Sequence, residues 1–137
     1  VRHRVDSNTR LISTQLLIAF HHSWAMLDEF GDWIDKNASE ELGSLIRARA
    51  KSLHEWIQSV IDTQFSAESK SDTKYEYVSI EIPKKSAKFF DELFRFVEIV
   101  YNEFMNSDTP DDYKTILFAS YVIIGDFIRA AFEHSDN

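Results

Sequence analysis

Arg49 and His54 are separated only by Ala50, Lys51, Ser52 and Leu53, and this pairing of residue types is the most suggestive chemistry in the chain. A guanidinium offers five fixed donors to an oxyanion, and an imidazole is the side chain that titrates near neutral pH. Together they suit phosphate binding with proton transfer alongside. Arg47 precedes the same histidine at a longer spacing, and Arg129 precedes His134 at the shorter one. Arg49 is odd in a second way: on a helix it falls between Leu42 and Trp56, near the middle of an apolar stripe. A guanidinium buried there costs several kcal/mol unless a carboxylate meets it. Glu92 and Glu103, at the edge of a later helix's apolar arc, are the expected partners. Arg49, His54 and Glu103 thus form a candidate polar or anion site. The plainer expectation is a structural ion pair, or an arginine whose stem is buried while its head reaches water.

Stronger signatures of chemistry are missing. There is no glycine-rich loop ending in Lys-Ser or Lys-Thr, no G-x-G-x-x-G and no G-x-S-x-G. No Glu-x-x-His pair occurs, cysteine is absent, and no two of the five histidines stand one helical turn apart. No protein-only metal site and no cofactor are therefore expected. His21 and His22 share the polar side of the first helix with Asp28, Glu29 and Asp32, a face expected to be solvated. Lys84, Lys85 and Lys88 crowd the start of a later helix and oppose its dipole, at about 0.3–1 kcal/mol each at most. A solvated cluster is the simple expectation there; an anion or an acidic partner is the sharper one.

The elements that carry these residues read as helices. The first is expected from about Asn8 to Lys36, capped by Asp6 or Ser7, with Leu16, Phe20, Leu27, Phe30 and Ile34 on one face. Leu17 and Trp24 on one flank and Met26 and Trp33 on the other widen the arc to roughly 200°. After a break at Lys36-Asn37-Ala38, Ser39 caps a second helix with Glu40 and Glu41 in its first turn. Its stripe runs from Leu42 through Leu45, Ile46, Leu53, Trp56, Ile57 and Val60 to about Phe65. Ser66 to Lys74 is polar and without period. Tyr75 to Ile82 alternates and reads as an extended strand stopped by Pro83. It needs a partner for its backbone groups: Val1 to Val5, a second chain, or water. A third helix follows from Pro83 or Lys84 to Met105. A fourth opens at Asp108-Thr109-Pro110, with Pro110 as its first residue, and is expected to be the most buried, being apolar nearly all round from Ile116 to Ile124. The fold class is all-α: an antiparallel four-helix bundle with a short extended segment between helices 2 and 3, one domain spanning 1–137.

Composition narrows the partners. Three glycines and two prolines argue against a many-turned β-fold, and 44% hydrophobic residues suffice for one core. The charge of −8 and pI near 5.0 weaken a nucleic-acid reading without closing it. Arg2, His3, Arg4 and Arg10 make one end basic, against an acidic block of Asp28, Glu29, Asp32, Asp35, Glu40 and Glu41. The longest apolar run, Ile116 to Gly125, is shorter than a bilayer span, so no membrane crossing is expected. A cysteine-free chain suits the reducing cytoplasm. A first residue of Val rather than Met suggests a domain excised from a longer chain. Eight of the eleven phenylalanines fall in the last two helices, and arcs this wide leave apolar surface over for protein. Tyr77, Val78, Ile80 and Ile82 are the expected interaction surface, facing a second copy or a missing neighbouring domain; the competing expectation is an arm laid over its own helices.

Short segments of the chain resemble two known families. Arg49 to His54, Arg47 to His54 and Arg129 to His134 each fit the R-x4–6-H pattern of the helical HEPN ribonucleases and toxins. That resemblance implies a histidine in acid–base chemistry and an arginine on the phosphate. The family commonly has a polar residue after the arginine, where Ala50, Ala48 and Ala130 stand here. The segment Ala50-Lys51-Ser52-Leu53-His54-Glu55 is similar to that around the phosphorylated histidine of histidine-kinase dimerisation helices, but Ile57 and Gln58 stand where those carry Lys-Gly. The sequence therefore favours a non-enzymatic helical interaction or regulatory domain that associates with protein, chiefly with itself. A HEPN-type ribonuclease is the alternative, and a small-ligand sensory or phosphotransfer bundle the third reading.

Overall fold

The computed structural model describes residues 7–64 and 76–133, and these are mostly helical with one two-stranded sheet. In chain order they form β1 (Ser7–Ser13), α1 (Thr14–Asn37), α2 (Glu40–Trp56), β2 (Tyr77–Pro83), α3 (Ser86–Phe104) and α4 (Asp111–Phe132). Helix α2 runs on through a π-helical turn (Ile57–Ile61) into one more α-helical turn (Asp62–Gln64). The expectations placed on Val1–Val5, Phe65, the 66–74 segment, Tyr75 and His134 lie outside the described residues.

The start of the first helix is corrected. Ser7 to Ser13 is a strand, because Ser, Asn and β-branched Thr9 and Ile12 favour extended backbone over helix. The true cap is Ser13, whose hydroxyl accepts from the Leu16 N–H at 3.3 Å. This strand is the partner β2 needed. The two run antiparallel, with Arg10 opposite Ile80 and Ile12 opposite Val78, and the Thr14 N–H adds a bond to the Glu76 carbonyl. On the far edge of β2 the Gln64 amide imitates a strand. It accepts from the Glu81 N–H at 2.7 Å and donates to the Glu81 carbonyl at 2.9 Å.

Ser39 caps α2 as expected, accepting from the Leu42 N–H at 3.1 Å. The connection is so short that α1 and α2 meet at their backbones, and Gly43 is required there. A Cβ on it would stand 2.4 Å from the Asp35 nitrogen and 2.5 Å from its Cα. Further along, Gly31 lies against Ile46 and Arg47.

One ring from each helix meets at the centre. Phe20 of α1 stacks on Phe127 of α4 at 3.7 Å between centroids, and Trp56 of α2 and Phe90 of α3 pack edge-on at 4.8 Å. The Trp56 indole N–H donates to Ser86 Oγ at 2.8 Å, so the one polar atom of that ring is satisfied at the start of α3.

Helix α4 departs from expectation. Pro110 is its cap residue rather than its first helical one. It is also not the most buried helix: Phe118 and Val122 are exposed, while α1 buries the larger set of residues. A helix apolar on all sides meets neighbours on only some of them. By length and composition α4 is long and apolar enough to cross a membrane, which the run from Ile116 to Gly125 alone underestimates, as are core helices of globular proteins. Here it packs on α1, α3 and β1.

Candidate functional site

His54, in the last turn of α2, lies flat on Trp24 of α1, with ring centroids 3.8 Å apart and planes 7° apart. The stack forms one end of an open groove of about 460 Å³ between the two helices, lined also by Asp28, Asp35, Arg47 and Lys51. Arg47 donates to Asp28 at 3.3 Å and to Asp32 at 3.4 Å. The groove's arginine thus faces two carboxylates, which offset its charge toward an incoming anion. All three side chains are more than a third exposed, so these pairs contribute little to stability.

Arg49 is half-buried, but the expected carboxylate does not meet it. Among the described residues it has no ion pair; its guanidinium carbon stands 4.9 Å from the centroid of the Phe96 ring on α3. A ring face presents negative charge to a cation and so takes the place of an acid. Arg49 therefore turns toward α3 and His54 toward α1, as five residues of helix, about 140° of rotation, require. Glu103 is exposed, two turns of α3 beyond Phe96. The three candidate residues are not gathered into one site. Arg47, not Arg49, shares a groove with His54.

The expected interaction surface divides. Ile80 and Ile82 are buried in the chain's own core and Val78 is half-buried, which is the arm arrangement; Tyr77 alone stays exposed, at 56%. A strand with alternating side chains over a helix surface buries one face, and these residues are that face. His21 bonds Asp62 at 2.7 Å, joining α1 to the turn after the π-helix. Among the described residues no group of three or more His, Asp or Glu is placed to hold a metal ion.

A surface the sequence reading did not single out lies on α3 and α4. Tyr121 stacks between Phe94, at 5.2 Å, and Tyr101, at 4.2 Å, and Tyr101 continues to Phe118 at 6.4 Å. Burial, then the Glu98 carboxylate beside it, push the Tyr121 hydroxyl above its ordinary value. Phe118 at 49% exposure and Val122 at 36% border this row of rings. The signal for it was present: these aromatic positions lie on one flank of each apolar arc, seven apart on α3 and three apart on α4. Comparison of the chain with protein-family models, with curated proteins and with solved structures finds no match in any of the three.

Proposed function

We propose that this chain is a non-enzymatic helical interaction domain, an antiparallel four-helix bundle that associates with protein and first of all with a second copy of itself. The observation that carries this reading is the apolar surface left on α4, where Phe118 and Val122 stand in water beside the half-buried rings of Phe94, Tyr101 and Tyr121. Side chains of this kind gain by leaving water, and a contiguous apolar patch on a soluble chain marks a contact. The bundle reading is supported by pairs that step in opposite directions: Asp35 with Gly43, Gly31 with Ile46 and Trp24 with His54, then Phe94 with Gly125 and Tyr101 with Phe118. Light scattering over a concentration series should rise toward twice 16.0 kDa. A mass that stays at one chain throughout rejects self-association.

One observation favours the ribonuclease reading as second choice: Arg47 and His54, which fit the longer R-x6-H spacing, line the same groove. Metal-independent RNA cleavage abolished by His54→Ala would move this reading to first place. The two carboxylates on Arg47 argue for no cleavage.

A further inference from the structure

The outward side of α4 has the pattern of a helix-pairing seam. Asp111, Thr115, Phe118, Val122 and Arg129 all stand exposed, and their spacing of four, three, four and then seven is the heptad spacing of a coiled-coil stripe. Gly125 holds the remaining heptad position and is buried, with the edge of the Phe94 ring 3.2 Å from where its Cβ would stand. The stripe is apolar in the middle, acidic at its N-terminal end and basic at its C-terminal end, and neutral as a whole on a chain of charge −8. Turned about a two-fold axis, it is complementary to itself. Phe118 then lies against Val122 of the second copy, and Asp111 against its Arg129, at both ends. A parallel pairing would set Asp111 on Asp111 and Arg129 on Arg129. We propose that a second copy of this chain docks on this stripe, α4 against α4 and antiparallel, with the ring row of Phe94, Tyr101 and Tyr121 at its margin. The proposal rests on the self-association reading and names its surface. Arg129 also holds Asp126 within its own helix; its fork of five donors serves both carboxylates.

Absence of cysteine makes the test direct. Asp111→Cys and Arg129→Cys proteins are prepared separately, mixed and oxidised. The antiparallel seam brings the two cysteines together across one end and keeps the native Asp111–Arg129 pair at the other. It holds like cysteines about 27 Å apart along the axis, out of disulfide reach. The expected product is the mixed disulfide, with neither variant cross-linking to itself. Self-cross-linking of either variant, or no cross-link in a preparation that light scattering shows to be dimeric, overturns this surface and leaves self-association standing. A monomeric wild-type chain overturns both. Independently, Asp111→Arg should weaken the dimer by about tenfold or more through two like-charge contacts, and adding Arg129→Asp to the same chain should restore it. A dimer indifferent to the single change, or not regained in the double, also overturns the proposal.

Discussion

Between α1 and α2 the closest approaches are made by glycine, with Asp35 backbone atoms where a Gly43 side chain would begin. Between α3 and α4 the gap is filled by rings, Phe94, Tyr121, Tyr101 and Phe118, each against the next. The two helix pairs also finish differently at the surface. The flanking side chains of α1 and α2 end in ion pairs that cross between elements, Arg47 with Asp28 and Asp32 and His21 with Asp62, whereas the ion pairs of α3 and α4, Asp91 with Arg95 and Asp126 with Arg129, stay within one helix. Phe90 and Phe127 fill the inner part of that gap and are wholly buried, while Phe94, Tyr101, Tyr121 and Phe118 fill its outer part and remain partly at the surface. A ring-spaced pair therefore offers an apolar contact that a glycine-spaced pair does not.

The largest effect is expected where the two pairs meet. Phe20→Ala removes the ring that stacks on Phe127 and touches Trp56 and Phe90. Urea unfolding should show a loss of about 3–5 kcal/mol, the usual cost of emptying such a site. A single cooperative transition is expected in the wild type; two separate transitions would mean that the helix pairs are independent units.

Next come the two glycines, which test the contrast itself. Gly43→Ala places its methyl within 2.6 Å of the Asp35 N, Cα and Cβ atoms, and backbone does not give way as a side chain does. The expected loss is about 2–3 kcal/mol, at the upper end of overpacking costs. Gly125→Ala meets the edge of the Phe94 ring at 3.2 Å, which moves by a few tenths of an ångström, and Arg129 Nη1 at an ordinary 3.8 Å. There the gain in helix propensity, about 1 kcal/mol, offsets the strain, and the melting temperature should hold or rise. Equal losses at both glycines would erase the distinction between the pairs.

The helices on either side of this contrast are legible in the sequence, the contrast itself is not, and the reasons are physical. The helices announced themselves through their apolar spacing, and Ser39 through its place before Glu40 and Glu41. Trp24 with His54 follows from counting equal steps outward from the cap residue Ser39, as does Asp35 with Gly43. At Arg49 the stripe position calls for something to meet the guanidinium, and an aromatic ring such as that of Phe96 meets a cation as a carboxylate does. Ser7 to Ser13 was hidden because Leu11 and Ile12 continue the apolar run of α1, and only the alternation with β2 distinguishes strand from helix there. Gln64 clamping Glu81 had no local signal, since it depends on where a strand 17 residues later arrives.

The arginines give smaller effects. Arg49→Ala removes a half-exposed contact with a ring rather than one member of a buried ion pair. About 1 kcal/mol is expected, against the roughly 3–5 kcal/mol that an abandoned carboxylate would cost. Arg47→Ala should cost less than about 1 kcal/mol, and less again in high salt. A cost at Arg49 near the larger figure would show that an acid, not Phe96, is its partner.

The smallest effect lies at the ring-spaced pair and appears only in alkali. Tyr121 has its pKa raised above 10.0 by burial and then by Glu98, so the folded chain holds that proton more tightly than the unfolded chain does. Stability is unaffected by this group well below 10.0 and falls as the pH climbs from there through the raised value. Tyr121→Phe keeps the ring against Phe94 and Tyr101 and gives up only a long hydrogen bond to Glu98, at 3.5 Å. At neutral pH the two proteins should unfold within about 0.5 kcal/mol of each other. Urea titrations repeated at about pH 11 should find the wild type losing more stability than Tyr121→Phe, with Tyr77→Phe, at an exposed position, following the wild type. If all three fall together, the loss comes from the chain's overall charge, and the ring row is as open to water as the ion-paired face of α1 and α2.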